Sequence, residues 1–134
     1  MTAHIAYDAI DPGVAATLSP KLIQGIIRER IGFDGLLMTD DLGMKALGGS
    51  LKTRADGAIA AGCDVLLHCS GFLKEADSIL AEMTEVAEAS PVLAGKARAR
   101  AERAEALSTA EMPFDGQAGW ARFHELFPEF KAMA

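Results

Sequence analysis

Short apolar runs alternate with amphipathic stretches at near-regular spacing along this chain. Three runs read as strands, Thr2–Ala6, Gly35–Thr39 and Cys63–His68. They recur about every 30 residues, the length of one β-α unit with its crossover. The unbroken run Leu36-Leu37-Met38 predicts burial on both faces, as in a parallel sheet. A first helix opens at Ser19-Pro20, where Ser can cap free amides and Pro suits the first helical position. Leu22, Ile23, Ile26 and Ile27 fall on one face of it, and Gly32 closes it. A second helix runs from about Leu51 to Ala61, closed by Gly62 as a left-handed cap. A third, from about Leu73 to Ala89, follows a turn at Ser70-Gly71. Ser90-Pro91 predicts the start of a fourth, to about Leu107, with Leu93, Ala97, Ala101, Ala104 and Leu107 near one face. Its Arg/Glu-rich stretch, 96–105, reads as a solvated outer face with i,i+4 pairs. After Pro113, Gly116 and Gly119, the tail predicts a short aromatic helix around Trp120–Phe127.

This order implies an α/β fold with parallel strands. Three β-α units can form a small open sheet, but a closed barrel of this kind takes eight. In either architecture, binding and catalysis sit at the carboxyl ends of the strands. The stretch "GFDGLLMTDDLGM" delivers Asp40 and Asp41 to such an end, and His4 and Ser70 reach the same end of their strands.

Composition narrows the function classes. Half of the residues are hydrophobic and mean hydropathy is +0.16, enough for a core built mainly of Ala, Leu and Ile. Net charge is -6. The basic stretch Lys96–Arg103 is interrupted by acids, which argues against a nucleic-acid surface. No apolar stretch approaches the roughly 18 residues of a membrane span, and "MTAHIAYDAI" has no basic region followed by an apolar core, so no secretory signal is expected. Cys63 and Cys69, on one strand and its exit, stand too far apart for a disulfide and read as reduced cytoplasmic thiols. There is no C-x-x-C or H-E-x-x-H, and the three scattered histidines form no metal constellation. No metal and no cofactor is expected.

Three blocks, in order, resemble one family. "MTAHIAYDAIDPGVAATLSP" resembles the sixth strand and following loop of the bacterial β-N-acetylhexosaminidases of glycoside hydrolase family three. "ERIGFDGLLMTDDLGMKAL" is similar to their seventh strand, which bears the catalytic aspartate, and "RADGAIAAGCDVLLHCS" to the helix and eighth strand. The resemblance covers residues 1 to about 107 and leaves 108–134 as a tail. It implies the last three β-α units, a partial (β/α)8 TIM barrel, of a cytoplasmic peptidoglycan-recycling enzyme. Such an enzyme removes terminal N-acetylglucosamine from cell-wall saccharides by a retaining mechanism. It implies Asp40 as the nucleophile, and His4 and Asp41 as candidate substrate-binding residues. The family's acid/base histidine and aspartate belong to a Gly-rich loop near a Lys-His-Phe-Pro-Gly-His block that this chain lacks, and Met1 matches an internal methionine. The chain is therefore expected to be a fragment, inactive alone and prone to self-association through open sheet edges.

Blander readings stand beside these. Acids at a strand tip often cap the following turn, and Asp41 could orient its loop through backbone amides. His4 could be a hydrogen-bonded structural histidine, and His68 a core one. Two other classes remain: a small Mg²⁺- or phosphate-handling α/β domain, and a non-catalytic interaction module derived from a barrel.

Overall fold

A computed structural model of the chain describes residues 1–69, 75–108 and 115–128. The turn expected at Ser70-Gly71, the helix start at Leu73 and Pro113 lie outside them. The chain forms two compact units, Met1–Ala104 and Glu105–Ala134.

In the first unit two strands, β1 (Met38–Asp41) and β2 (Val65–Leu67), pair in parallel. Around them lie a wide-wound π-helix (Lys21–Arg30), α1 (Leu51–Ala61), α2 (Ala76–Ala89) and, as far as Ala104, α3 (Gly95–Ser108). Ser19 caps the π-helix as expected, its Oγ accepting the Leu22 amide at 3.1 Å. Gly32, at φ +73°, follows its end. The helix expected over 51–61 forms with those bounds. Ser50 caps its start by accepting the Thr53 amide, and Gly62 closes it at φ +113°. A Cβ at position 62 would meet the movable end of the Gln24 side chain, so it is the left-handed φ rather than this contact that calls for glycine.

The strands depart from expectation, and polar side chains explain why. The strand expected over Gly35–Thr39 lies at Met38–Asp41 instead. Upstream of Met38, side chains take the groups a ladder would use. Arg28 donates to the Phe33 and Gly35 carbonyls, and the Asp64 carboxylate accepts the Leu37 amide at 2.9 Å. The third parallel strand, expected over Thr2–Ala6, does not form. That segment bonds mainly to its own loop, Ala16 N–H to Ile5 O at 2.8 Å and Thr17 N–H to Ala3 O at 3.3 Å, with an antiparallel bridge between Ala6 and Ala15. A single backbone bond, Thr2 N–H to Met38 O at 2.8 Å, ties it to β1. The Leu37 carbonyl faces β2, and successive carbonyls of a strand point to opposite sides, so this bond lies on the far edge of β1.

Two apolar clusters fill the unit. Ile23, Leu37, Ala58, Ala61 and Cys63 pack between the π-helix, α1 and the start of β1. Leu42, Leu47, Ala55 and Val86 pack where α2 crosses α1. The fourth helix starts at Gly95 rather than at Ser90-Pro91. Ser90 serves the preceding helix, donating its hydroxyl to Val86 O at 2.8 Å. The solvated face expected over 96–105 holds one i,i+4 pair, Arg98–Glu102. Arg100 departs from that picture: its side chain is largely covered and its guanidinium is paired with Asp64. Leu107, expected on an apolar face, is exposed. In the second unit α4 (Gly116–Leu126) is capped by Asp115, which accepts the Gln117 and Ala118 amides, and presents Trp120 edge-on to Phe123. No helix among the described residues is long and apolar enough to cross a membrane.

Asp64 is the polar centre of the first unit. Its side chain is 2% exposed and is gripped by Arg28 at 2.8 Å and by Arg100. Burial alone would push its carboxyl up. Hydrogen bonds from Arg100 and the Leu37 amide, with the charges of both arginines, outweigh burial and hold it below the ordinary value. Removing one partner of such a buried cluster strands the others, so Asp64→Ala is expected to cost about 3–5 kcal/mol in urea unfolding. Asp34→Ala, at a 74% exposed side chain, should cost under about 1 kcal/mol. The Asp64 contribution is fully present above the unfolded-state pKa of about 3.9. It is lost as pH falls through the lower folded-state value, and that acid-side loss should be absent from Asp64→Asn.

Candidate active site

The carboxyl end of β1 is irregular. Met38 pairs with Val65 and Asp41 with Leu67, so β1 advances three residues while β2 advances two. The extra residue is a β-bulge at Thr39-Asp40, a device that bends a strand and re-aims its side chains. Thr39, fully buried, stabilises it by accepting the Leu67 amide on Oγ1 at 2.8 Å. Asp40 follows at the bulge, half-buried. Its Oδ1 accepts the Asp41 amide at 2.8 Å, and its other oxygen has no hydrogen-bond partner among the described residues.

Asp41 is engaged differently. Its Oδ1 accepts the Gly43 amide at 2.8 Å and the Cys69 amide at 2.9 Å, clamping the loop after β1 to the exit of β2. This is the loop-orienting role read from the residues alone. Arg54 of α1 holds the same loop through the Leu42 and Met44 carbonyls, at 2.7 and 3.2 Å.

His4 reaches the same end of the sheet. Its Nε2 donates to the Asp41 carbonyl at 2.8 Å, and its Nδ1 lies 2.9 Å from the Thr17 hydroxyl. Thr17, fully buried, also donates to Ala3 O and meets the Thr2 hydroxyl at 2.8 Å. Both ring nitrogens of His4 are thus committed to holding the N-terminal segment against the tip of β1. His68, just past β2, is a buried side chain as expected, with Nε2 2.9 Å from Glu82 Oε2 on α2. Asp40, Asp41, His4 and His68 therefore share one end of the sheet; Ser70 lies outside the described residues. The sequence analysis missed Thr17 and Glu82. Each meets its histidine across more than a dozen residues, and no local pattern marks such a pair.

Set beside known proteins, residues 1–106 match the glycosyl hydrolase family 3 N terminal domain. The chain belongs to glycosyl hydrolase family 3. A beta-hexosaminidase of Shewanella frigidimarina is 41% identical over 95 residues, covering 65% of this chain and 28% of that protein. One of Chromobacterium violaceum is 42% identical over 106 residues, covering 74% and 29%. The chain thus spans less than a third of the length of these relatives. Among solved structures, CbsA from Thermotoga neapolitana superposes with a TM-score of 0.60 at 29% identity, covering 86% of this chain and 27% of that one. The beta-N-acetylglucosaminidase from Thermotoga maritima gives 0.56 at 31% identity, covering 83% and 25%. These likenesses agree with the α/β fold described above.

The two thiols differ sharply. Both are free, Cys63 buried and Cys69 exposed at the rim of the site. Burial, helped by the neighbouring Asp64 charge, pushes the Cys63 thiol up to about 11. Only the thiolate is nucleophilic, so at pH 8 a disulfide reagent such as DTNB should modify Cys69 rapidly and Cys63 only after unfolding. Cys69→Ser should abolish the fast phase; equal rates at the two thiols would contradict the burial of Cys63.

Proposed function

We propose that this chain carries the nucleophile strand of a retaining β-N-acetylhexosaminidase, with Asp40 as the nucleophile. The observation that carries the proposal is the inequality of the two adjacent carboxylates. Asp41 takes the Gly43 and Cys69 amides and fixes the loop, whereas Asp40 sits on a bulge and, among the described residues, accepts only the neighbouring Asp41 amide. A retaining glycosidase needs such a carboxylate, rigidly held and able to bond to the anomeric carbon. Asp40 attacks that carbon as the glycosidic bond breaks, and a general acid protonates the leaving oxygen. Water, deprotonated by the same group, then releases the sugar from Asp40.

In this reading the two strands and the Thr2 segment on the far edge of β1 are the last three β-α units of a (β/α)8 barrel. The general acid comes from outside these 134 residues, because no stretch of them resembles the family's acid/base loop. His4 and Asp41 line the sugar pocket mainly by shaping the tip of β1. The substrates are N-acetylglucosamine-containing cell-wall saccharides, met in the cytoplasm during peptidoglycan recycling. Self-association of the isolated chain fits the exposed Ile5, Tyr7, Ile10 and Ile31. Tyr7, Ile10 and Ile31 border an apolar groove of about 250 Å³ with Leu22, Ile26 and Ile27.

A general acid is worth ~10²–10⁴ in rate, and substrate positioning can supply ~7–11 kcal/mol of the barrier. The 134-residue chain alone is therefore expected not to hydrolyse a chromogenic aryl N-acetyl-β-glucosaminide measurably. Fusion or co-expression with the preceding strands of the Chromobacterium relative should bring turnover. In that assembly Asp40→Asn should abolish it and Asp41→Asn should reduce it less. Robust activity of the chain alone would refute the divided site. Full activity of Asp40→Asn would refute the nucleophile and favour a module with a non-catalytic role.

A further inference from the structure

The loop that follows Asp40 is held by more than its amide bonds, because a buried imidazole packs against the carboxylate that clamps it. The His68 side chain is 5% exposed, with Nδ1 3.7 Å from Asp41 Oδ1 and Nε2 2.9 Å from Glu82 Oε2. A carboxylate only accepts, so Nε2 carries the proton of that bond. Asp41 Oδ1 is the same oxygen that takes the Gly43 and Cys69 amides. At position 43 a Cβ would lie 3.0 Å from Cys69 O, 3.1 Å from Asp41 Oδ1 and 3.3 Å from His68 Cε1. Ring, carboxylate and both chain segments therefore meet with no spare volume.

We propose that His68, braced by Glu82 of α2, is a positioning residue for the nucleophile. It acts by fixing Asp41, whose own amide is hydrogen-bonded to Asp40. The inference rests on the reading of Asp40 as nucleophile. It adds a path from the packing of α2 to the aim of the reacting carboxylate. If the bond from Nε2 to Glu82 is lost, the ring is free to turn, and Asp41 shifts with it and carries Asp40 along. A misplacement of about 1 Å at a reacting group can cost on the order of 10²-fold in rate.

The test has two readouts. In the 134-residue chain, amide hydrogen exchange at Gly43 and Cys69 is followed for wild type, His68→Phe, Glu82→Leu and Glu82→Gln. Loss of the brace should speed exchange at these two amides by about tenfold, the order of one hydrogen bond, and leave Ala58 unchanged. Glu82→Gln, which keeps a side-chain carbonyl acceptor, should stay near wild type. In the assembled enzyme, His68→Phe and Glu82→Leu should lower kcat by roughly 10- to 100-fold, with KM within about twofold and Glu82→Gln largely restoring turnover. Unchanged exchange at Gly43 and Cys69, a uniform rise that includes Ala58, or an unchanged kcat would overturn the proposal. Exchange is read without turnover, so an active Asp40→Asn enzyme, which strikes at the nucleophile itself, is told apart from a failure of the His68 brace.

Discussion

The rest of the first unit depends on one buried carboxylate. Asp64 accepts the Leu37 amide on its side chain and donates its own amide to the Leu37 carbonyl at 2.8 Å, so Leu37 is gripped from both backbone groups. Arg28 of the π-helix and Arg100 of α3 supply the positive charge that makes this burial tolerable. Without them, an ionised group this deep would carry an uncompensated desolvation cost of several kcal/mol. The cluster thereby fixes β1 against β2 and ties two helices to the start of the sheet. Met38, paired with Val65, takes its register from this grip, and the bulge that carries Asp40 starts from it.

The two ends of the sheet then divide the work. At the amino end, charge is neutralised in place: Asp64, Arg28 and Arg100 answer one another, and Asp34 meets Arg100 and Arg103 at the surface. At the carboxyl end, the hydrogen bonds immobilise backbone and leave Asp40, among the described residues, with a single bond, from the Asp41 amide. Thr39, Asp41, His4 and Arg54 each bond to the bulge or its loop, and His68, held by Glu82, packs against Asp41. Rigid support around a group with free bonding capacity is the arrangement a covalent nucleophile needs.

Sequence carried the parts of this that depend on local pattern. The helix Leu51–Ala61 is marked by its terminal glycine, and Asp40 and Asp41 stand out because charge abruptly ends an apolar run. The strand bounds were not legible, because polar side chains decide them: Asp64 and Arg28 take over the backbone groups before Met38, and Thr39 displaces a ladder bond to make the bulge. The Thr2–Ala6 segment has strand composition, yet most of its hydrogen bonds go to residues 15–17. Arg100 looked solvated because its partner lies 36 residues away, beyond any helical or strand period. Ser90-Pro91 has the form of a helix start, but the serine hydroxyl serves the helix that it follows.

The central claim is that Asp40, and not its neighbour, bonds to the sugar. The most direct measurement traps the glycosyl-enzyme in the assembled protein with a fluorinated N-acetylglucosaminide whose release is slow, then locates the added mass by peptide fragmentation. The account predicts one sugar, joined to the Asp40 carboxylate. A sugar on Asp41 or on any other residue would contradict it, as would turnover of that substrate with no covalent intermediate.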